Sequence, residues 1–225
     1  MNRIWAVNPL LGSFYGAADT LGFVTVRNDR VTSDYTVSHK RLRANSEVTD
    51  EIARYRRYFE RRPDHTLLIT LDATNLPSSI VRSLPMDTAY SHPIEWDRTM
   101  PMMNGIITSN QLRWVLRDAD SGLENMAIRW RFRVGDVAKI RLRNDGSALH
   151  AMQHPIHIHG QRFLVLSRNG VANPNLGWKD TVLIPSGDTV DILVELSNPG
   201  AWMLHCHIAE HLEAGMKMVV EVQGR

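Results

Sequence analysis

One cysteine, Cys206, carries all the thiol chemistry of this 225-residue chain. A single thiol excludes an intrachain disulfide, so Cys206 is left with packing, nucleophilic attack or metal binding. Long apolar runs are missing as well. No stretch approaches the ~18 residues a membrane-spanning helix needs, and no membrane partner is expected. Charge of either sign is scarce in net terms: 26 basic residues stand against 24 acidic ones, for a formal charge of +2. The densest basic run, "RYRRYFERR" from Arg54 to Arg62, reads as a solvated helix. Ile52, Tyr55 and Phe59 fall on one apolar stripe with arginines around it, and no nucleic-acid partner is expected. The turn glycines are isolated, which argues against a phosphate-cradling loop. No repeat or low-complexity tract is present. The opening stretch, "MNRIWAVNPLLGSFYGAAD", is interrupted by Asn8 and Pro9 and makes a poor export signal.

An apolar fraction of 43% and a charged fraction of 22% suit a folded globular chain. From His65 onward the sequence is a succession of short apolar or alternating runs: "TLLITLDA", "LRWVLRDADSG", "MAIRWRFRVGD", "VAKIRLRND", "RFLVLSRNG", "DTVLIPSGD", "TVDILVELSNPG" and "MKMVVEVQG". Most close on Asp, Asn, Gly or Pro. In "AIRWRFRVGD", Ile128, Trp130, Phe132 and Val134 share one face and arginines the other. Short strands with turns between them predict an antiparallel sandwich or barrel of Greek-key type. Upstream, "LGFVTV" over 21–26 reads as a strand, residues 31–45 as irregular, and Ser46 or Thr49 as the cap of a helix running to about Arg61, before Pro63.

Six of the ten histidines lie in two short stretches, "HPIHIHG" and "HCHIAEH". Side chains at i and i+2 of a strand share a face. His157 and His159 therefore point one way, and so do His205 and His207. If the two strands are neighbours, four imidazoles converge, and a metal resolves the crowding because neutral imidazole is a good ligand. Cys206 faces the opposite side. His154 can turn toward it, and His211 and Met216 can fold back to it. Two imidazoles, a thiolate and a distant thioether form the ligand set of a blue copper site. Structural zinc sites, the rival, usually use more cysteines or close without a thioether. The reading is of two metal sites back to back, joined by the backbone of His205-Cys206-His207.

These residues resemble a known family. "HPIHIHG" and "HCHIAEHLEAGM" look like the third and fourth copper-binding motifs of the multicopper oxidases, the group of the laccases and bacterial copper-resistance oxidases. "WKDTVLIPSG" and "LSNPGAWMLHCH" resemble the same family's last domain. The resemblance implies an all-β, cupredoxin-like Greek-key β-sandwich with a short linker helix. It divides the chain into the end of a preceding cupredoxin domain (1–30), a linker with a short helix (31–63) and a copper-binding C-terminal cupredoxin domain (64–225). It implies copper as cofactor: His154, Cys206, His211 and Met216 at a type 1 site, His157 at the type 2 copper, and His159, His205 and His207 at the type 3 pair. Such an enzyme takes single electrons from a phenol, an aromatic amine or a metal ion. It then reduces dioxygen to water at the trinuclear cluster, with His205, Cys206 and His207 as the catalytic link. Asp180 and Glu210 are candidates for orienting bound imidazoles.

The resemblance also sets a discrepancy. The family's full cluster uses eight histidines, four of them from two H-x-H motifs. The remaining histidines here, His39, His65, His92 and His150, are isolated. The expectation is that N-terminal domains, in cis or in another subunit, supply the rest, and that this chain alone is an inactive fragment. Leu212 and Glu213 follow the last histidine, closer to the fungal laccase pattern, and an axial Met216 points to easily oxidised substrates. Met100, Met102 and Met103 read as loop packing rather than a copper(I) site, and Trp178 and Trp202 as packing residues. The alternative function is a non-catalytic blue copper electron carrier or copper-binding module, for which His157, His159, His205 and His207 have no use. A nitrite-reductase-like enzyme would place a histidine on only one side of the cysteine. A periplasmic or secreted location is expected from the chemistry.

Overall fold

A computed structural model describes residues 5–7, 14–16, 23–29, 46–73, 112–148 and 151–224. In chain order the elements are β1 (Trp5–Val7), β2 (Phe14–Gly16), α1 (Ser46–Ala53), β3 (His65–Ala73), β4 (Leu112–Asp118), β5 (Trp130–Arg133), β6 (Val137–Asn144), β7 (His154–Ile158), β8 (Arg162–Arg168), β9 (Val171–Ala172), β10 (Trp178–Lys179), β11 (Thr181–Ile184), β12 (Thr189–Glu195), β13 (Gly200–Cys206), α2 (Ala209–Glu213) and β14 (Lys217–Gln223). β1 and β2 pair with each other. The rest form two sheets. One runs β10-β8-β12-β6-β3-β4, with β9 beside β8, and the other β11-β7-β13-β14-β5. Pairing is antiparallel except between β3 and β6 and between β14 and β5. Both parallel pairs join strands that are not consecutive, as crossing Greek-key connections require.

The sheets face each other across one core. Leu67, Ile69, Ile140, Leu142, Phe163 and Ile192 come from the first sheet, and Ile156, Ile158, Leu204, Met218 and Val220 from the second. Each such side chain contributes about 1.5–3 kcal/mol when fully buried. This is the expected all-β, cupredoxin-like sandwich. The alternation of β5 holds: Ile128 and Trp130 are buried while Arg129, Arg131 and Arg133 are exposed.

Two expected elements differ. The helix ends at Ala53, not near Arg61, and continues as a 3-10 turn at Arg56–Tyr58. The chain tightens because Tyr55 N–H donates to the Ile52 carbonyl (2.9 Å) and Tyr58 N–H to the Tyr55 carbonyl (2.9 Å). That turn seats Ile52 and Tyr55 on Leu164, Leu166 and Leu193, the outer face of the first sheet. The Tyr55 hydroxyl donates to Glu195, while Arg162 bridges Glu51 and Glu195. The apolar stripe read from the sequence is therefore correct and docks α1 on β8 and β12. The strand expected at 21–26 is absent over its described part. Residues 23–27 are irregular, and Phe23 and Val24 are 90% and 94% exposed. No described strand lies beside them to satisfy their backbone groups, and a lone strand has nothing to hold it. Residues 31–45 lie outside the described residues.

Candidate metal centre

The register of β7 against β13 builds the centre. His205 stands opposite His157, and Cys206 opposite Ile156. Ile156 points into the core, so Cys206 does too, and both are buried. His154, two residues before Ile156, shares that face without any turn of the backbone. After Cys206 the chain enters the five-residue helix α2, which returns His211 to the thiol. Gly215 then reverses it. At φ +110° this is a conformation that side chains resist, and a Cβ there would lie 3.0 Å from Asn125 Nδ2 and 3.3 Å from the Trp114 carbonyl. Met216 follows, fully buried in the same core as Cys206. Its carbonyl accepts from Cys206 N–H (3.2 Å), and its N–H donates to the His211 carbonyl (2.9 Å).

His154, Cys206 and His211 are each at least 96% buried, and their donor atoms lie within 4.8 Å of one another. The two Nδ1 atoms are 3.1 Å apart, and Cys206 Sγ lies 3.8 Å from that of His154 and 3.6 Å from that of His211. Metal–nitrogen bonds near 2.0 Å and a metal–sulfur bond near 2.3 Å, at tetrahedral to trigonal angles, require sulfur–nitrogen separations of about 3.5–3.8 Å. The donor set thus fits one small transition ion. Burial pushes the Cys206 thiol up to about 11. The thiol is therefore protonated near neutrality, and an ion must displace that proton. Trp114, from the other sheet, stacks on His211 at 3.9 Å between ring centres and meets His154 edge-on at 5.0 Å.

Four imidazoles occupy the opposite face. His157, His159 and His205 bring ligand atoms within 4.8 Å of one another, and His159 Nε2 lies 3.0 Å from His205 Nε2. His207 falls outside that trio but stands 4.7 Å from the His157 ring and 5.2 Å from the His205 ring. The outer nitrogens are already held. His205 Nδ1 lies 2.8 Å from the Cys206 carbonyl, and His157 Nδ1 lies 2.9 Å from the Asp180 carbonyl and 3.0 Å from Thr181 Oγ1. With Nδ1 donating, Nε2 of both rings is left as a lone-pair donor. Burial holds both imidazoles below their usual range, which favours the neutral, ligating form.

Asp180 does hold His157, but through its main chain. Its carboxylate is 3.8 Å from Nδ1 and accepts from the Thr181 hydroxyl at 2.9 Å. Thr181 escaped the sequence reading. It stands directly opposite His157 in the β11–β7 register, a pairing no local motif announces. Trp114 escaped it for the same reason, since its partners lie in the other sheet. Glu210 is exposed. Trp178 packs, but on α1 outside the sandwich, with its ring 5.2 Å from Tyr55 and its Nε1 donating to Glu51 at 3.0 Å. Trp202 packs against the core between the sheets. His39, His92, His150 and the methionines Met100, Met102 and Met103 lie outside the described residues.

The family description "Multicopper oxidase" matches residues 95–225. The chain belongs to the multicopper oxidase family. Among its relatives, Laccase-1 of Melanocarpus albomyces is 28% identical over 181 residues, covering 71% of this chain and 26% of that protein. Multicopper oxidase mco of Staphylococcus epidermidis is 40% identical over 83 residues, covering 36% and 19%. Among solved structures, the multicopper oxidase of Pediococcus acidilactici shares 35% identity with a TM-score of 0.41, over 48% of this chain and 24% of that one. The chain thus spans about a quarter of the length of Laccase-1. Membership implies copper as the cofactor, and the two donor groups are of a kind that could hold a metal ion.

Proposed function

We propose that this chain provides the electron-accepting site and half of the dioxygen site of a laccase-like oxidase. In this reading a phenol, aromatic amine or metal ion is oxidised one electron at a time, and dioxygen is reduced to water. The observation that carries it is the split orientation around Cys206. Its thiol joins the buried His154–His211 group, while its neighbours His205 and His207 stand on the imidazole face with His157 and His159. One residue's main chain is therefore the covalent link between two donor groups of different chemistry.

His154, Cys206 and His211 would hold the type 1 copper, with Met216 as a thioether donor. His157 would serve the type 2 copper, and His159, His205 and His207 the type 3 pair. Copper in these positions supplies one-electron redox chemistry at the thiolate and dioxygen reduction at the imidazole face. The protein's own part is to exclude water around Cys206, to stack Trp114 on His211, and to fix the His157 ring through the Asp180 carbonyl and Thr181. Four further histidines would come from N-terminal domains in cis or from another subunit. Residues 64–225 would form the copper-binding domain, 1–30 the tail of a preceding one and 31–63 the connection. A periplasmic or secreted location suits an enzyme that needs free copper.

The test is copper loading of the chain with metal counting, visible absorption and electron-spin spectra, and dioxygen uptake with a phenol donor. A strong blue band that disappears in Cys206→Ser, while copper remains on the imidazole face, is the expected result. A chain that takes up copper without any blue band would overturn the assignment of Cys206.

A further inference from the structure

His65, isolated in the sequence, is not isolated in the fold. It opens β3, and β3 pairs with β4 so that Leu67 faces Asp118. The pairing continues beyond β4, where Ala119 N–H donates to the Thr66 carbonyl at 2.9 Å. In that register Asp120 falls opposite His65. One ligand atom each from His65, Asp118 and Asp120 lies within 4.8 Å of the other two.

A second observation concerns Asp118 alone. It is 95% buried. Its Oδ2 accepts from the Ser121 hydroxyl and from Ser121 N–H, while Oδ1 is buried with no hydrogen-bond partner among the described residues. An unsatisfied buried acceptor is costly to the fold, and more so when it is charged. The nearby arginines are engaged elsewhere: Arg61 with Asp64, and Arg113 and Arg117 with Asp72 and Glu124. The His65 ring is fixed by stacking on Trp130 at 4.4 Å and by an edge contact with Phe132 at 5.6 Å. Burial keeps it below the usual histidine range despite Asp118, Asp64 and Asp120, so it is a neutral donor.

We propose that the turn following β4, with the start of β3, holds a divalent transition-metal site formed by His65, Asp118 and Asp120. One imidazole with two carboxylates suits Mn²⁺, Co²⁺ or Zn²⁺, whereas Ca²⁺ and Mg²⁺ prefer oxygen donors alone. The site is separate from the cysteine centre. Asp118 lies four residues along β4 from Trp114, about 13 Å at the rise of a strand.

The probe is Mn²⁺ titrated into the full chain, followed by nuclear magnetic resonance. Mn²⁺ binds imidazole-only clusters weakly, and its unpaired electrons broaden nearby signals. Broadening of the His65 ring protons and the Trp130 indole N–H, ahead of those of His157, His159 and His205, is expected. His65→Gln and Asp120→Asn should each weaken Mn²⁺ binding by about tenfold or more. Asp120 is exposed, so Asp120→Asn leaves the fold intact, as circular dichroism would verify. Sharp His65 and Trp130 signals up to Mn²⁺ on the order of millimolar, broadening confined to the other imidazoles, or broadening unchanged in both variants would overturn the site and leave Asp118 Oδ1 to water.

Discussion

Cys206 sits where a thiol has little reason to ionise. It is buried beside two imidazoles, and burial holds its proton up to about 11. Metal binding must remove that proton, so uptake strengthens with pH by about 1.4 kcal/mol per unit for each proton released. Unbuffered loading with a divalent ion at pH 7 should therefore release one more proton from the chain than from Cys206→Ser. Equal release would mean that the thiol is not a ligand. At this scale the sequence was a good guide wherever chemistry and spacing coincide. The i, i+2 histidines and the lone thiol could be read from their positions alone. Trp114 and Thr181 could not, because each meets its histidine from a strand remote in sequence. That Asp180 partners an imidazole could be read, but not that its carbonyl, rather than its carboxylate, is the nearer acceptor for His157.

Strands and turns set the rings in place. Two residues past the end of β7 stands Gly160, where φ is +60° and an added Cβ would come 2.3 Å from the Trp202 ring. That ring packs against the core from β13, so the glycine lets the two histidine-bearing strands lie close beyond His159. Gly160→Ala should destabilise the fold by about 2 kcal/mol or more and displace Trp202 toward solvent. Thermal melting with tryptophan emission reads both effects, and an unchanged melting temperature would refute the contact. Alternation made β5 and the core strands legible. The helix boundary was not, because the tightening after Ala53 serves Tyr55, whose partner Glu195 is 140 residues away. The apolar run at 23–26 had the composition of a strand, but a strand also needs a neighbour.

At the scale of the molecule, burial depresses the imidazoles of His65, His157 and His205 among the described residues. Unfolding returns them to the ordinary range near 6.5, so below that pH the unfolded chain takes up protons first. The stability they contribute is fully present above pH 6.5 and is lost as pH falls through their lowered folded values. The metal-free chain should therefore melt at progressively lower temperature between pH 7 and pH 5, with a smaller drop in His65→Gln. A flat profile would show that these rings are not desolvated. The sandwich was legible as a class because strand after strand alternates. Its strand order was not, since neighbours such as β3 and β6, or β14 and β5, are set by packing rather than by nearness in sequence. That order also has a consequence for synthesis. β13 and β14 are the last two strands, yet they stand inside the second sheet, between β7 and β5. A ribosome delivers the outer strands of that sheet well before the ones that join them. Until Lys217–Gln223 has emerged, the thiol and its imidazoles have no completed sheet to hold them. Before then β13, with the Cys206 thiol and the His205 imidazole, has a neighbour on one side alone.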